Sequence, residues 1–198
     1  MPNWCGTTYQ IKGDPKELKI LHDEFLNAQK GATIKTGFGE QWLGHLLTHL
    51  GMTEEDITNG HISCRGSVTY IGLNENELLI DTDTAWGPMP QPIAMMCEKY
   101  APNAQIIFTA VEPGCGIYIT NDASIAGTYL VDVWENSNLP ENLTMLDYDY
   151  LKPEDLKTEL ETALGVQDGI GKLIQKAESL WWEDMSINRV EWCDIEEL

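Results

Sequence analysis

Four residues of this chain have the types and spacing of metal ligands. His45 and His49 stand four apart in "EQWLGHLLTHLG", so a helix would point both to one side, and His61 and Cys64 follow twelve residues on. Two such pairs could complete a four-ligand zinc site. The first pair lacks the glutamate that makes HExxH a metalloprotease signature, and spacing of this kind arises often by accident. No bound metal or cofactor is expected, and His45, His49, His61 and Cys64 are the set to inspect. Asp81 and Asp83 alternate in "ELLIDTDTAW" and share one face of a strand. Paired carboxylates can hold a hard cation or trade a proton, yet a polar open sheet face looks the same. Nucleophilic catalysis has little support: there is no GxSxG elbow, and the five cysteines are scattered without a CxxC pair. The glycine-rich "GATIKTGFGE" has neither P-loop nor dinucleotide spacing. An enzyme is thus the less favoured reading.

The elements that must position these residues follow from periodicity. Residues 3–12 alternate, with Cys5, Thr7, Tyr9 and Ile11 on one side, and read as a strand. Asp14-Pro15-Lys16-Glu17 then carries an N-cap acid, a proline at the first helical position and a glutamate three residues after the cap. With Leu18, Leu21, Phe25 and Ala28 on one face, a helix is predicted over 14–30. A loop and a short helix up to Gly51 come next, then two strands, "CRGSVTYIGL" and "ELLIDTDTAW", joined by turn residues 74–76. A helix restarts behind the prolines of "PMPQPIAMMCEKYAP", and "AQIIFTAVEPG" is strongly β-prone. "CGIYITN" and "GTYLVDVW" read as an added hairpin. The tail adds two amphipathic helices, "KPEDLKTELETALG" and "GIGKLIQKAESLWWEDM".

The order strand, helix, strand, strand, helix, strand is the split βαβ arrangement of a ferredoxin-like fold (βαββαβ). The expected fold class is therefore α+β: a ferredoxin-like core over 1–134 with an insertion at 31–60, and an acidic helical extension over 135–198 packed on it. In such a sheet the first strand lies between the third and fourth, antiparallel to both. Its start then meets the ends of "TDTAWGP" and "AVEPG", which gathers Asn3, Trp4, Trp86 and Glu112 into one corner. Two indoles there could stack on a base or clamp a partner's side chain, with Glu112 accepting hydrogen bonds. The competing reading is structural: indoles capping the core, and Glu112 bonding the turn backbone.

The motifs at this corner resemble the YubB ferredoxin-like family of phage, plasmid and other mobile-element proteins. Pro2, Asn3, Trp4 and Cys5 match its PNWC start; Thr84, Trp86, Pro88 and Pro90 match its Thr-x-Trp with prolines; Glu112, Gly114 and Tyr118 match its Glu-x-Gly with aromatics beyond. The resemblance spans roughly the first two-thirds of the chain and departs from the family in the insertion, in "CRGSVTYIGL" and in the helical tail. It implies fold and a mobile-element origin, and adds Tyr118 to Asn3, Trp4, Trp86 and Glu112 as binding residues. It implies no reaction.

The formal net charge of −20 narrows the partners. Such a field repels DNA, RNA and anionic membranes, so none of these is expected as a direct partner. Acidity is densest in the tail, where 135–198 holds sixteen Asp or Glu against five Lys or Arg. No apolar run reaches the length of a membrane span, and the first residues lack the regions of a signal peptide. The cytoplasm of a bacterial host cell is the expected location. The function expected is a non-catalytic binding protein of a phage or mobile element that counters a host defence by engaging a host protein with a basic surface or by sequestering its ligand. The alternatives are capture of a small nucleotide at the Trp4/Trp86 corner, helped by Lys12, Lys35 or Arg65, and a metal-dependent hydrolase.

Overall fold

A computed structural model describes residues 3–31, 37–135 and 137–198. Pro2 and Lys35 lie outside the described residues. The chain forms two compact units, one of Met1–Asp122 with Cys193–Leu198 and one of Ala123–Trp192. These boundaries replace the expected division between 134 and 135. The architecture is mixed α+β with mostly antiparallel sheet.

In the first unit β1 (Trp4–Lys12), β2 (Gly66–Leu73), β3 (Glu77–Ala85), β4 (Gln105–Glu112) and β5 (Ile117–Thr120) lie in the order β2-β3-β1-β4-β5. β1 is antiparallel to β3 and to β4, with Trp4 opposite Ala85 and Gly6 opposite both Asp83 and Val111. Cys5, Thr7, Tyr9 and Ile11 are buried while their neighbours face outward, the period of two that the sequence carries.

Three helices cover that buried face: α1 (Pro15–Lys30), α2 (Gly44–His49) and α4 (Gln91–Tyr100). α1 starts where expected, because the Asp14 carboxylate accepts from the backbone N–H groups of Lys16 and Glu17 at 2.9 and 3.3 Å. Leu18, Leu21, Phe25 and Ala28 enter the core beside Tyr9, Ile11, Ile80, Ile93, Met96 and Phe108. The insertion holds a further short helix, α3 (Glu54–Asn59), beyond the one expected up to Gly51. A reciprocal cap between Thr53 and Asp56 starts it.

The added hairpin is corrected. β5 pairs with β4, whereas β6 (Tyr129–Val133) belongs to the second unit. Asn121 is the physical reason. Its Oδ1 accepts from the Phe108 N–H at 2.7 Å and its Nδ2 donates to the Ile106 carbonyl at 2.9 Å. The side chain thereby takes bonds that a longer β5 would make along β4.

The second unit is also not purely helical. β6 sits between β7 (Tyr150–Leu151) and β8 (Met185–Arg189) in a three-stranded antiparallel sheet. α5 (Glu141–Thr144), α6 (Pro153–Leu164) and α7 (Ile170–Trp181) accompany it. Leu156, Leu160, Leu173 and Ala177 from the helices pack with Val131, Met185 and Ile187 from the strands. Met185 and Ile187 alternate with the half-buried Ser186 and Asn188, a strand signature hidden behind the long apolar stripe of α7. Among the described residues no helix is long and apolar enough to cross a membrane.

Candidate functional site

The corner forms at one end of the first unit's sheet. The Trp86 N–H donates to the Asn3 carbonyl at 2.9 Å and joins the exit of β3 to the entry of β1. Thr84 closes the turn that follows β3, its buried hydroxyl 2.7 Å from the Gly87 carbonyl. Within that turn Trp86 adopts φ +73°, the left-handed region that costs a non-glycine residue about 1–2 kcal/mol. Its indole is nevertheless 51% exposed, and that of Trp4 is 46% exposed.

Trp4 makes an edge-on ring contact with Phe38, their centroids 6.2 Å apart. Phe38 is a residue that sequence reasoning missed. Its one signal is an aromatic bracketed by Gly37 and Gly39, the latter at φ +65°. Because side chains alternate along β1, Trp4 emerges on the face opposite the helices, together with Gly6 and Thr8. Asp83 and Asp81 from β3, opposite Gly6 and Thr8, share that face, as does the exposed Tyr70 opposite Asp81. The Thr8 hydroxyl donates to Asp81 at 2.8 Å. A Cβ added at Gly6 would meet nothing within 4 Å, so the surface between Trp4 and Thr8 is open.

Glu112 lies at the corner but is turned inward. It is 3% exposed and accepts from the backbone N–H groups of Gly114, at 3.0 Å, and Cys115. This is the structural role: the carboxylate shapes the turn after β4. Asn3 lies over the same turn, its Nδ2 3.9 Å from the Cys115 sulfur. A Cβ at Gly114 would come within 2.3 Å of that Nδ2, so only glycine lets Asn3 approach. Tyr118 is buried opposite Val111 and offers no surface for a ligand. Of the five binding candidates, Trp4 and Trp86 present area, Asn3 bonds the backbone of Trp86, Glu112 holds the turn after β4, and Tyr118 belongs to the packing.

The other candidates are dispersed. Lys12 is at the far end of β1, eight residues from Trp4 and about 26 Å away at ~3.3 Å per residue, and ion-pairs with Glu77 at 3.8 Å. Arg65 is nearer: its carbonyl accepts from the Ala85 N–H at 3.0 Å, one residue before Trp86. His45 is buried, with Nδ1 3.0 Å from the Glu40 carbonyl and its ring edge-on to Trp42. His49 faces Glu24, Nε2 to Oε2 2.7 Å. Among the described residues no three His, Cys, Asp or Glu side chains gather as a metal site. The His45, His49, His61 and Cys64 set is therefore not assembled. All five thiols are shifted upward, Cys97 to about 12 by burial and Cys115 by its hydrogen bond to the Glu112 carboxylate. An activated cysteine nucleophile needs the opposite shift.

Compared with family models, with curated proteins and with solved structures, the chain matches none of them.

Proposed function

We propose that this chain is a non-catalytic binding protein that docks a protein partner with a basic surface through the Trp4/Trp86 corner. One observation carries the reading: Trp4 and Trp86, each about half exposed, stand on backbone segments joined by the hydrogen bond from Trp86 N–H to the Asn3 carbonyl. Large aromatics held rigid in this way give contact area at little entropic cost, and tryptophan is enriched where interfaces concentrate their energy. The Asp81 and Asp83 carboxylates on Trp4's face and the charge of −20 favour a partner rich in lysine or arginine. The strand order β2-β3-β1-β4 with α1 and α4 on one face supports a ferredoxin-like core. With the PNWC, TAWGPMPQP and VEPG motifs, it supports a mobile-element protein of the YubB type. The partner would then be a host protein, and its capture would blunt a host defence.

The test is capture from host lysate by wild type and by a Trp4→Ala/Trp86→Ala variant with an unchanged circular-dichroism spectrum. The reading requires one specific host protein retained by wild type and lost by the folded variant. Equal retention by both removes the corner from the interface. Arg65 beside Trp86 favours one second reading, an anionic nucleotide stacked on the indoles. A thermal-shift panel of nucleotides separates the two: a ligand at 100 times its Kd stabilises by about 2.7 kcal/mol, and a protein-binding corner leaves the panel flat.

A further inference from the structure

The second unit carries an aromatic surface of its own. Val131 and Val133 of β6 turn toward the helices, so Asp132 between them faces the other side of the three-stranded sheet. Trp134 continues on that side, its N–H bonded to the Asp184 carbonyl at 2.9 Å in extension of the ladder. The chain approaching β7 runs alongside: Tyr148 N–H donates to the Val131 carbonyl at 2.8 Å, and Tyr150 pairs with Leu130. This register sets Tyr148 and Tyr150 beside Asp132. All three rings are exposed, Trp134 at 41% and Tyr148 at 65%. Burial first and the neighbouring Asp147 carboxylate second raise the pKa of Asp132, while the nearby Tyr148 side chain works the other way. Asp147 also accepts from the Val133 N–H at 2.9 Å.

We propose that Trp134, Tyr148 and Tyr150, with the carboxylates of Asp132 and Asp147, form a docking surface for an arginine side chain of a protein partner. Charge selects this occupant. Two carboxylates that repel one another gain from a cation between them. The unit's own basic residues are engaged elsewhere in part: Lys157 with Glu161, Lys172 with Asp168 and Arg189 with Glu191. Shape selects arginine over lysine, because a planar guanidinium stacks on an aromatic face while its fork meets carboxylate oxygens. The surface lies within the second unit and does not rest on the corner reading.

The chain's seven tryptophans supply the assay and its controls. Full-length protein labelled with 15N at the indoles is titrated with N-acetylarginine amide, with the lysine and glutamine amides as controls. The expected result is a saturating displacement of the Trp134 resonance, weaker with lysine and absent with glutamine. Asp132→Asn should reduce the affinity about five- to ten-fold, as should Tyr148→Ala at an exposed position. Both variants must keep the wild-type pattern of the other indoles. Small, non-saturating shifts of all seven resonances would show general attraction to an acidic chain and overturn the proposal. So would undiminished binding by Asp132→Asn. A response of Trp4 and Trp86 without Trp134 would move the cation to the corner, and this surface would be abandoned while the corner reading stood.

Discussion

Replacing Trp86 by glycine should leave the protein more stable than replacing it by alanine. At most positions the order is the reverse, because glycine adds conformational entropy to the unfolded chain and loses about 0.4–1 kcal/mol relative to alanine. At φ +73° an alanine Cβ meets the same left-handed penalty as the indole, about 1–2 kcal/mol, and glycine escapes it. The difference favours glycine by about 0.5–1 kcal/mol. Both variants also lose the half of the indole that is buried; roughly 100 Å² of apolar area at ~25 cal/mol per Å² sets that common loss at about 2.5 kcal/mol. Urea denaturation, read by hydrogen exchange of β1 amides, reports the first unit alone. Trp4, on an extended strand, is the control and should show the ordinary order, alanine above glycine. An alanine variant at position 86 as stable as glycine, or more so, would refute the strain. The reasoning that the turn holds the ring outward against a backbone cost would fail with it.

Gly114→Ala should displace the Asn3 side chain, whose Nδ2 would lie 2.3 Å from the new Cβ. Partner capture is expected to weaken more than stability, as judged by pull-down beside thermal denaturation. Glu112→Gln should speed alkylation of the exposed Cys115 at pH 8, because the Glu112 carboxylate is the main cause of that thiol's raised pKa; an unchanged iodoacetamide rate would refute the contact. Asp132→Asn should stabilise the second unit at pH 7. Burial and Asp147 raise the folded pKa of Asp132, so the aspartate's cost grows as pH rises through that value. The advantage of asparagine should vanish below about pH 4, near the unfolded pKa of an aspartate, in pH-resolved denaturation curves.

What could be read from the sequence was whatever one short pattern specifies. The Asp14-Pro15 start fixed α1, and the alternation from Cys5 to Ile11 fixed the buried face of β1, because each signal is local and unopposed. The meeting of Asn3 with Trp86 was legible through strand order alone. Three things were not. The end of β5 depends on Asn121 bonding backbone two strand positions away, which no periodicity reports. β8 follows α7 closely, and the apolar stripe of the helix hides the shorter alternation of Met185 and Ile187. The choice between the two readings of Glu112, ligand acceptor or anchor of the turn backbone, needs the N–H groups of Gly114 and Cys115 that use its oxygens.

Presenting residues differ physically from supporting ones. A supporting residue at the corner is buried and bonded: Thr84 to the Gly87 carbonyl, Glu112 to the turn after β4. A presenting residue is left partly in water at a cost that packing alone does not repay, and Trp86 meets both conditions. Tyr148 meets them as well, at φ +58° with its ring largely exposed. Each strained aromatic has carboxylates in its surroundings, Asp81 and Asp83 on the face of Trp86's neighbour Trp4, Asp132 and Asp147 beside Tyr148. Aromatic faces and carboxylates together suit cationic side chains and disfavour phosphates. The two proposed surfaces therefore share one chemistry, aromatic faces beside carboxylates, and the net charge of −20 has the same sign as both.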